Sequence, residues 1–259
     1  MLALAGALLY ISPLRAAELA IVIDDVGYSL KYGQRAVDLP AAVTLAVLPY
    51  APHTQTLAHR AELAGHDIII HQPMEPHPSA HVRTEEETLT MSMSQDQLRN
   101  AFRRALDAVP QRTGVSNHTG SLLTAHRQPM VSLMEELNGR GLFFLDSRTT
   151  AKTVAERVAL EFGVPTIKRD VFLDHDRSPA AIERAFNKAV KIARKRGYAV
   201  LVGHPYRESI EFLEQRLWVM DADVKLISAK ALAHRLHQQR QTALGPPPDP
   251  APLHISLGQ

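Results

Sequence analysis

Residues 21–29 read IVIDDVGYS, three β-branched residues running into the adjacent carboxylates Asp24 and Asp25 and then a glycine. Two carboxylates that close repel, so at least one needs a proton, a cation or a metal. Taken alone, the stretch reads equally well as a polar strand end entering a solvated turn, because Asp and Gly are common turn residues. Other apolar runs finish on comparable groups: DIIIHQP on His71, TGVSNHTG on Asn117 and His118, LFFLDSR on Asp146, VPTIKRD on Arg169 and Asp170, and AVLVGHP on His204. Aspartate and histidine converging from separate segments suit a zinc-type site, in which three N or O ligands leave one position for water. The pKa of that water falls to about 7; a nearby carboxylate takes its proton and a nearby acid protonates the leaving group. Of two neighbouring carboxylates, one then binds the metal and the other is the base, and the cation lets both stay ionised. The chain contains no cysteine, which excludes a disulfide framework, a thiolate nucleophile and thiolate-bound zinc. A metal here must be held by carboxylates and by some of the 13 histidines.

Such residues need elements that bring them to one place. The apolar runs LAIVIDD, VTLAVLP, DIIIHQP, TGVSNHTG, LFFLDSR, VPTIKRD, AVLVGHP and VKLISA alternate with amphipathic stretches. SPAAIERAFNKAVKIARKRG opens on a Ser cap with Pro in the first turn and stops at Gly197. TTAKTVAERVALEFG is expected to start on its threonines and stop at Gly163, and MSQDQLRNAFRRALDAV carries apolar residues at helical spacing. Strand and helix alternating about eight times predicts an α/β domain of seven to eight mostly parallel strands, a closed or nearly closed (β/α) barrel. In a barrel the C-terminal strand ends gather on one face, where active sites are assembled from several strands. At 259 residues, with no linker or repeat in the middle, residues 18–240 form one domain.

The order of these motifs resembles the polysaccharide deacetylases, and within them a divergent branch of bacterial envelope proteins, across about residues 18 to 235. The resemblance implies a distorted (β/α) barrel and metal-dependent removal of acetyl groups from amino-sugar polymers. It also implies roles. Asp24 matches the general base and Asp25 a metal ligand in IVIDDVG, and His71 matches a metal ligand in GHDIIIHQPME. Asp146 in FLDSR matches a carboxylate that orients the catalytic groups, and His204 in AVLVGHP matches the general acid. Two positions depart from the pattern. Glu75 stands where the family has a second ligating histidine, and the family's Arg-x-Pro-aromatic motif is absent. SNHTGS stands in its place, making His118 the candidate for the missing imidazole and leaving Glu75 as an alternative ligand or a substrate contact. Asn117, Ser121 and Arg148 are further candidates for substrate contact or support, and the small residues of Thr119-Gly120-Ser121 are expected to let a substrate approach closely. The implied cofactor is a divalent metal, zinc by its donor set, and the implied partner an acetylated or peptidoglycan-like glycan.

The remaining features carry simpler readings. His77 and His81 in HPHPSAHVR offer a metal tract, but the prolines favour a mobile exposed loop. Arg169 and Asp170 read as an ion pair, and KIARKRG as a solvated face whose charges favour a helix C-terminus. A net charge of +2 with no basic stripe interleaved with aromatics argues against nucleic acid. Residues 2–12 are almost wholly apolar and precede Ala16-Ala17, so residues 1–17 read as an export segment although no Lys or Arg precedes the run. That places the protein in the periplasm or cell envelope. GPPPDPAPLHISLGQ, within residues 241–259, reads as a disordered Pro-rich tail. Two alternatives stay open: a non-catalytic envelope protein that uses the same fold to bind glycan or a protein partner, and a glycosidase with paired carboxylates. The histidines favour metal-assisted hydrolysis over the latter.

Overall fold

A computed structural model describes residues 16–80, 85 and 87–244. Its described residues form, in chain order, β1 (Ala17–Val26), α1 (Leu30–Val37), β2 (Thr44–Val47), α2 (Thr54–Leu63), β3 (Ile68–Met74), α3 (Gln95–Ala108), β4 (Arg112–Thr119), α4 (Arg127–Asn138), β5 (Phe143–Asp146), α5 (Ala155–Glu161), β6 (Thr166–Lys168), β7 (Val171–Phe172), α6 (Pro179–Arg196), β8 (Tyr198–Gly203), α7 (Arg207–Arg216), β9 (Val224–Leu226) and α8 (Ala229–Leu244). Every strand pairing is parallel. Eight strands follow one path, β6-β5-β4-β3-β2-β1-β8-β7, while β9 pairs with the first residues of β1. No pairing joins β6 to β7 among the described residues, so the barrel stays open on that side.

Alternation along each strand sorts its side chains. Leu19, Ile21 and Ile23 of β1, Ile68 and Ile70 of β3, Val115 of β4 and Phe144 of β5 face the surrounding helices. Their neighbours Ala20, Val22, Ile69, Phe143, Leu145, Val200 and Val202 face inward, where Ala229, Leu232, Ala233 and Leu236 of α8 fill the interior. The same alternation carries Asp24, His71, Ser116, His118 and His204 to the inner face at the C-terminal strand ends. At the narrow base nothing larger than glycine fits beside Phe143, because a Cβ on Gly114 would lie 2.5 Å from its ring.

All eight expected runs are strands. The ninth, β7, was hidden because only two residues of VFLDHD pair in the sheet. The α6 helix starts after Ser178 with Pro in its first turn and ends at Gly197, whose φ of +90° suits glycine at a left-handed cap. The α3 helix opens on a full capping box between Ser94 and Gln97. The α5 helix begins later than its threonines suggest, because the Thr153 hydroxyl donates to Asp146 and holds residues 149–153 as a turn. The expected export segment lies almost wholly outside the described residues; Ala17, its last residue, opens β1. The α8 helix runs to Leu244, past the expected boundary at residue 240, and the rest of the Pro-rich tail lies outside the described residues. Among the described residues no helix is long and apolar enough to cross a membrane.

Candidate active site

In a regular strand, neighbouring side chains point to opposite faces, so Asp24 and Asp25 should diverge. They do not. Asp25 has φ +56°, in the left-handed region, and the register with β2 slips between Ile23 and Val26. Asp is among the residues that enter this region most readily. The bulge swings the second carboxylate back to the mouth of the barrel, so that both acids address one cluster.

His71 Nε2 lies 3.5 Å from Asp24 Oδ2 and 3.3 Å from Asp25 Oδ1. His118 Nδ1 lies 3.0 Å from the same Asp25 oxygen. On its far side, His71 Nδ1 is 2.7 Å from the Ser116 hydroxyl. With Nδ1–H donating to Ser116, Nε2 presents its lone pair to the cluster. One ligand atom from each of Asp25, His71 and His118 falls within 4.8 Å of the others. Ligand atoms about 2.1 Å from a tetrahedral zinc-sized ion stand about 3.4 Å apart, close to the 3.0 and 3.3 Å measured to Asp25 Oδ1. That oxygen is buried and has no aligned hydrogen-bond donor. The donor set, the spacing and the orphaned oxygen all fit a divalent cation.

The charges divide the two acids. Burial works to raise Asp25, but the imidazoles of His118 and His71 outweigh it and hold the carboxyl well below the usual range. Burial works to lower His118, and Asp25 outweighs it and raises the ring. Asp24, 2% exposed, is pushed up by burial against the pull of His71 and His204, and its Oδ1 has no hydrogen-bond partner. The two acids therefore differ: Asp25 is held in its charged form, and Asp24 takes up a proton more readily.

His204 closes the other side. Its Nε2 lies 3.7 Å from Asp25 Oδ2, and its Nδ1–H donates to Asp174 Oδ1 at 2.9 Å. Asp174 Oδ2 accepts from the His204 backbone N–H at 2.7 Å and from the Ser209 hydroxyl at 2.6 Å. Burial disfavours a charged imidazole, yet the Asp174 hydrogen bond and the charge of Asp25 push His204 up to about 9. Phe172 meets the His204 ring edge-on at 5.1 Å, and Tyr206 stacks on it at 5.3 Å. Asp24, His71, His118, Phe172 and His204 border a cavity of about 470 Å³ that also touches Asn117, Thr119, Ser147, Thr149, Arg169 and His175.

The other expected residues lie around this cluster. Asn117 is fully buried, accepting the Ser147 N–H at 2.9 Å and donating to the Thr119 carbonyl at 2.8 Å, which ties the ends of β4 and β5 together beside the cavity. Glu75 accepts the Met91 N–H at 2.5 Å, so its carboxylate is engaged by a loop and is not one of the three clustered ligands. Asp146 follows Leu145 in the alternation and faces away from the interior; it accepts from the Arg148 N–H at 2.8 Å and the Thr153 hydroxyl at 2.9 Å. Its carboxylate secures a loop and touches none of the catalytic candidates. Arg148, at φ +49°, belongs to that loop, and its carbonyl receives a hydrogen bond from Arg169. Ser121 accepts the His77 N–H at 2.8 Å and lines a separate cavity with His77, Ser79, His126 and Lys152. Gly120 serves packing, since it has φ +85° and a Cβ there would lie 2.8 Å from Met74 Cβ.

Arg169 and Asp170 do not pair with each other. Asp170 binds Arg196, while the Arg169 guanidinium donates to the Ser147 carbonyl at 2.6 Å and the Arg148 carbonyl at 2.9 Å. From there its charge acts on Asp24 across the cavity. The basic run ending α6 is not a freely solvated face either: Arg194 binds Asp221 and Asp223, and Arg196 binds Asp170. His77 bonds Ser79 in a short 3₁₀ turn over Pro78–Ala80, and His81 lies outside the described residues. Two carboxylates escaped the reading of the sequence. Asp174 sits in VFLDHD, beyond a strand too short to notice, and Glu85 lies 3.4 Å from His118 Nε2 on a loop with no pattern to announce it.

Residues 21–233 match the model of a family described as divergent polysaccharide deacetylase. The chain belongs to that family. It is 37% identical to the uncharacterized protein YibQ of Escherichia coli over 251 residues, covering 97% of this chain and 77% of that one. It is 39% identical to an uncharacterized protein of Haemophilus influenzae over 211 residues, covering 82% and 75%. Among solved structures, the uncharacterized protein ATU2773 from Agrobacterium tumefaciens aligns with TM-score 0.79 at 28% identity, over 85% of this chain and 91% of that one. The peptidoglycan deacetylase PdaC from Bacillus subtilis shares the fold, with TM-score 0.53 at 12% identity over 90% and 97%. Within this family setting, the two departures in the motifs have structural counterparts. His118, from the next strand, stands in the cluster that the Glu75 carboxylate does not enter, and an arginine reaches the cavity from the end of β6.

Proposed function

We propose that this protein is a metal-dependent hydrolase that removes acetyl groups from a carbohydrate of the cell envelope. The observation that carries the reading is the bulge at Asp25, which turns two adjacent carboxylates toward one point together with His71, His118 and His204. Asp25, His71 and His118 would hold a divalent ion, zinc by its donor set. When bound, that ion supplies an acidified water molecule and polarises the acetyl carbonyl. Asp24, buried and with one oxygen unpartnered, takes the proton from the attacking water. His204, whose charged form Asp174 favours through a hydrogen bond, gives a proton to the departing amine or hydroxyl. Acetate and a free amino or hydroxyl sugar are the products. The hydrophobic walls raised by Phe172 and Tyr206 limit solvent around the acid.

Family membership, the fold shared with a peptidoglycan deacetylase and the apolar run over residues 2–12 support an acetylated envelope glycan as substrate and a site of action outside the cytoplasm. The test measures metal content and acetate release together. Wild type should bind near-stoichiometric metal and release acetate from acetylated amino-sugar oligomers or peptidoglycan fragments. His71→Ala should lose the metal, whereas Asp24→Asn should keep it and lose about 10²–10⁴-fold in rate. Metal-loaded wild type that releases no acetate from any of these substrates would refute the hydrolase reading.

A further inference from the structure

Beside the catalytic cavity lies a second lobe of about 510 Å³ bordered by Asp25, Tyr28, Ser29, Tyr32, Arg177, Pro205, Tyr206, Arg207 and Glu208. Asp25 reaches from this lobe to His71, His118 and His204, which line the catalytic cavity. The two lobes also meet at the stacked rings of His204 and Tyr206. A ligand extending past His204 from the catalytic cavity would enter this second lobe.

Two features define what it would accept. The first is aromatic. Tyr28 is 54% exposed at the rim of a polar site, whereas the Tyr206 ring carries His204 and Arg177. The C–H faces of a pyranose ring are apolar and slightly positive, so they pack against the negative face of an aromatic ring. The second is charge. Arg207 shares its charge with Glu208 and Glu211, each 3.9 Å from its Nε. Arg177 differs: its guanidinium lies 4.7 Å over the Tyr206 ring, and among the described residues it forms no ion pair and no hydrogen bond. A guanidinium laid over an aromatic ring keeps its in-plane N–H groups available, and these match a carboxylate in two-point contact.

We propose that this lobe is a subsite for an acidic sugar, a ring bearing one carboxylate next to the acetylated ring in the catalytic cavity; the identity of that neighbouring ring rests on the hydrolase reading above. Tyr28 carries the sugar face, Arg177 takes the carboxylate, and the Tyr206–His204 stack holds Arg177, and so the acidic ring, beside the catalytic acid. The protein would thus select an acetylated glycan in which carboxylate-bearing rings alternate with acetylated ones over a neutral polymer of the same length.

The test is calorimetric titration of the full chain with three tetrasaccharides. One is a neutral N-acetylglucosamine tetramer, one alternates N-acetylglucosamine with glucuronic acid, and one alternates it with N-acetylmuramic acid. At low salt, at least one acidic tetrasaccharide should bind about tenfold or more tightly than the neutral one, as a charge-assisted contact predicts. The margin should shrink as salt is raised. A preference for the second places the carboxylate on the ring itself, and for the third on an ether arm. Arg177→Ala and Arg177→Glu should bring the ratio of acidic to neutral affinity to one or below, while Arg177→Lys keeps part of it. Arg177 is exposed, so these variants fold. Equal affinity for acidic and neutral tetrasaccharides, no binding of any, or a preference that survives Arg177→Glu would overturn the proposal. Acetate release is scored separately. Binding through Arg177 with no acetate would overturn the hydrolase reading alone, and acetate release with no acidic preference would overturn the subsite alone.

Discussion

Replacing Asp174 by Asn tests whether His204 is a proton donor tuned by its neighbour. Asp174 accepts three donors: the His204 ring N–H, the His204 backbone N–H and the Ser209 hydroxyl. Burial alone would depress His204, yet Asp174, Asp25 and Asp24 push it from an ordinary 6.5 up to about 9. At 1.36 kcal/mol per pH unit, the charged ring is favoured by about 3 kcal/mol. A bound cation would absorb much of the effect of Asp25 and Asp24, so the hydrogen-bonded Asp174 must sustain the rest. The sign follows from the role. An acid works while protonated, so activity persists as pH rises until it passes the folded pKa. In Asp174→Asn that pKa drops, and the basic limb of the kcat/KM profile for acetate release should move down by about one pH unit or more. With a one-unit drop from about 9, the rate should fall about twofold at pH 8 and about tenfold at pH 10, with almost no loss at pH 6. An amide also cannot accept at both ends, so one buried donor is left unpaired and stability should fall by about 1–3 kcal/mol, read by urea unfolding. Ser209→Ala, which removes one donor to Asp174 and leaves its charge, should keep the basic limb near wild type. A basic limb that stays in place in a folded Asp174→Asn enzyme would refute the assignment.

Other expectations rest on separate contacts. Arg169→Ala removes the cation that faces Asp24, so the acidic limb of the same profile should move up, since Asp24 then protonates more readily. Arg169→Lys should fail to restore it because one ammonium cannot reproduce the forked contact to two carbonyls. Gly120→Ala places a Cβ at positive φ and against Met74, and should lower unfolding stability by about 1–3 kcal/mol; an unchanged denaturation midpoint would show that the turn relaxes. A reporter active only outside the cytoplasm should work when fused after residues 1–30 and fail when residues 1–17 are removed. Equal activity of both fusions would remove the basis for export.

The alternation of apolar runs with helices was enough to place nearly the whole parallel sheet, because β-branched runs and helical spacing are local properties that burial enforces strand by strand. The same local logic exposed Asp24, His71, His118 and His204, each terminating a run on a polar side chain. Sequence could not say which way a terminal side chain faces. Asp146 looked equivalent to His71, but the alternation of β5 turns it away from the interior, and it secures a loop instead. Arg169 looked like the partner of its neighbour Asp170, yet adjacent residues on an extended segment part company: one enters the cavity and the other meets Arg196, 26 residues later. Asp174 lay beyond a two-residue strand, which leaves no periodicity to read. The doublet near the end of β1 shows the division most clearly. Its chemistry was visible as two adjacent carboxylates, but their convergence depends on one left-handed backbone angle and one slipped register, which only strand pairing in the folded sheet decides.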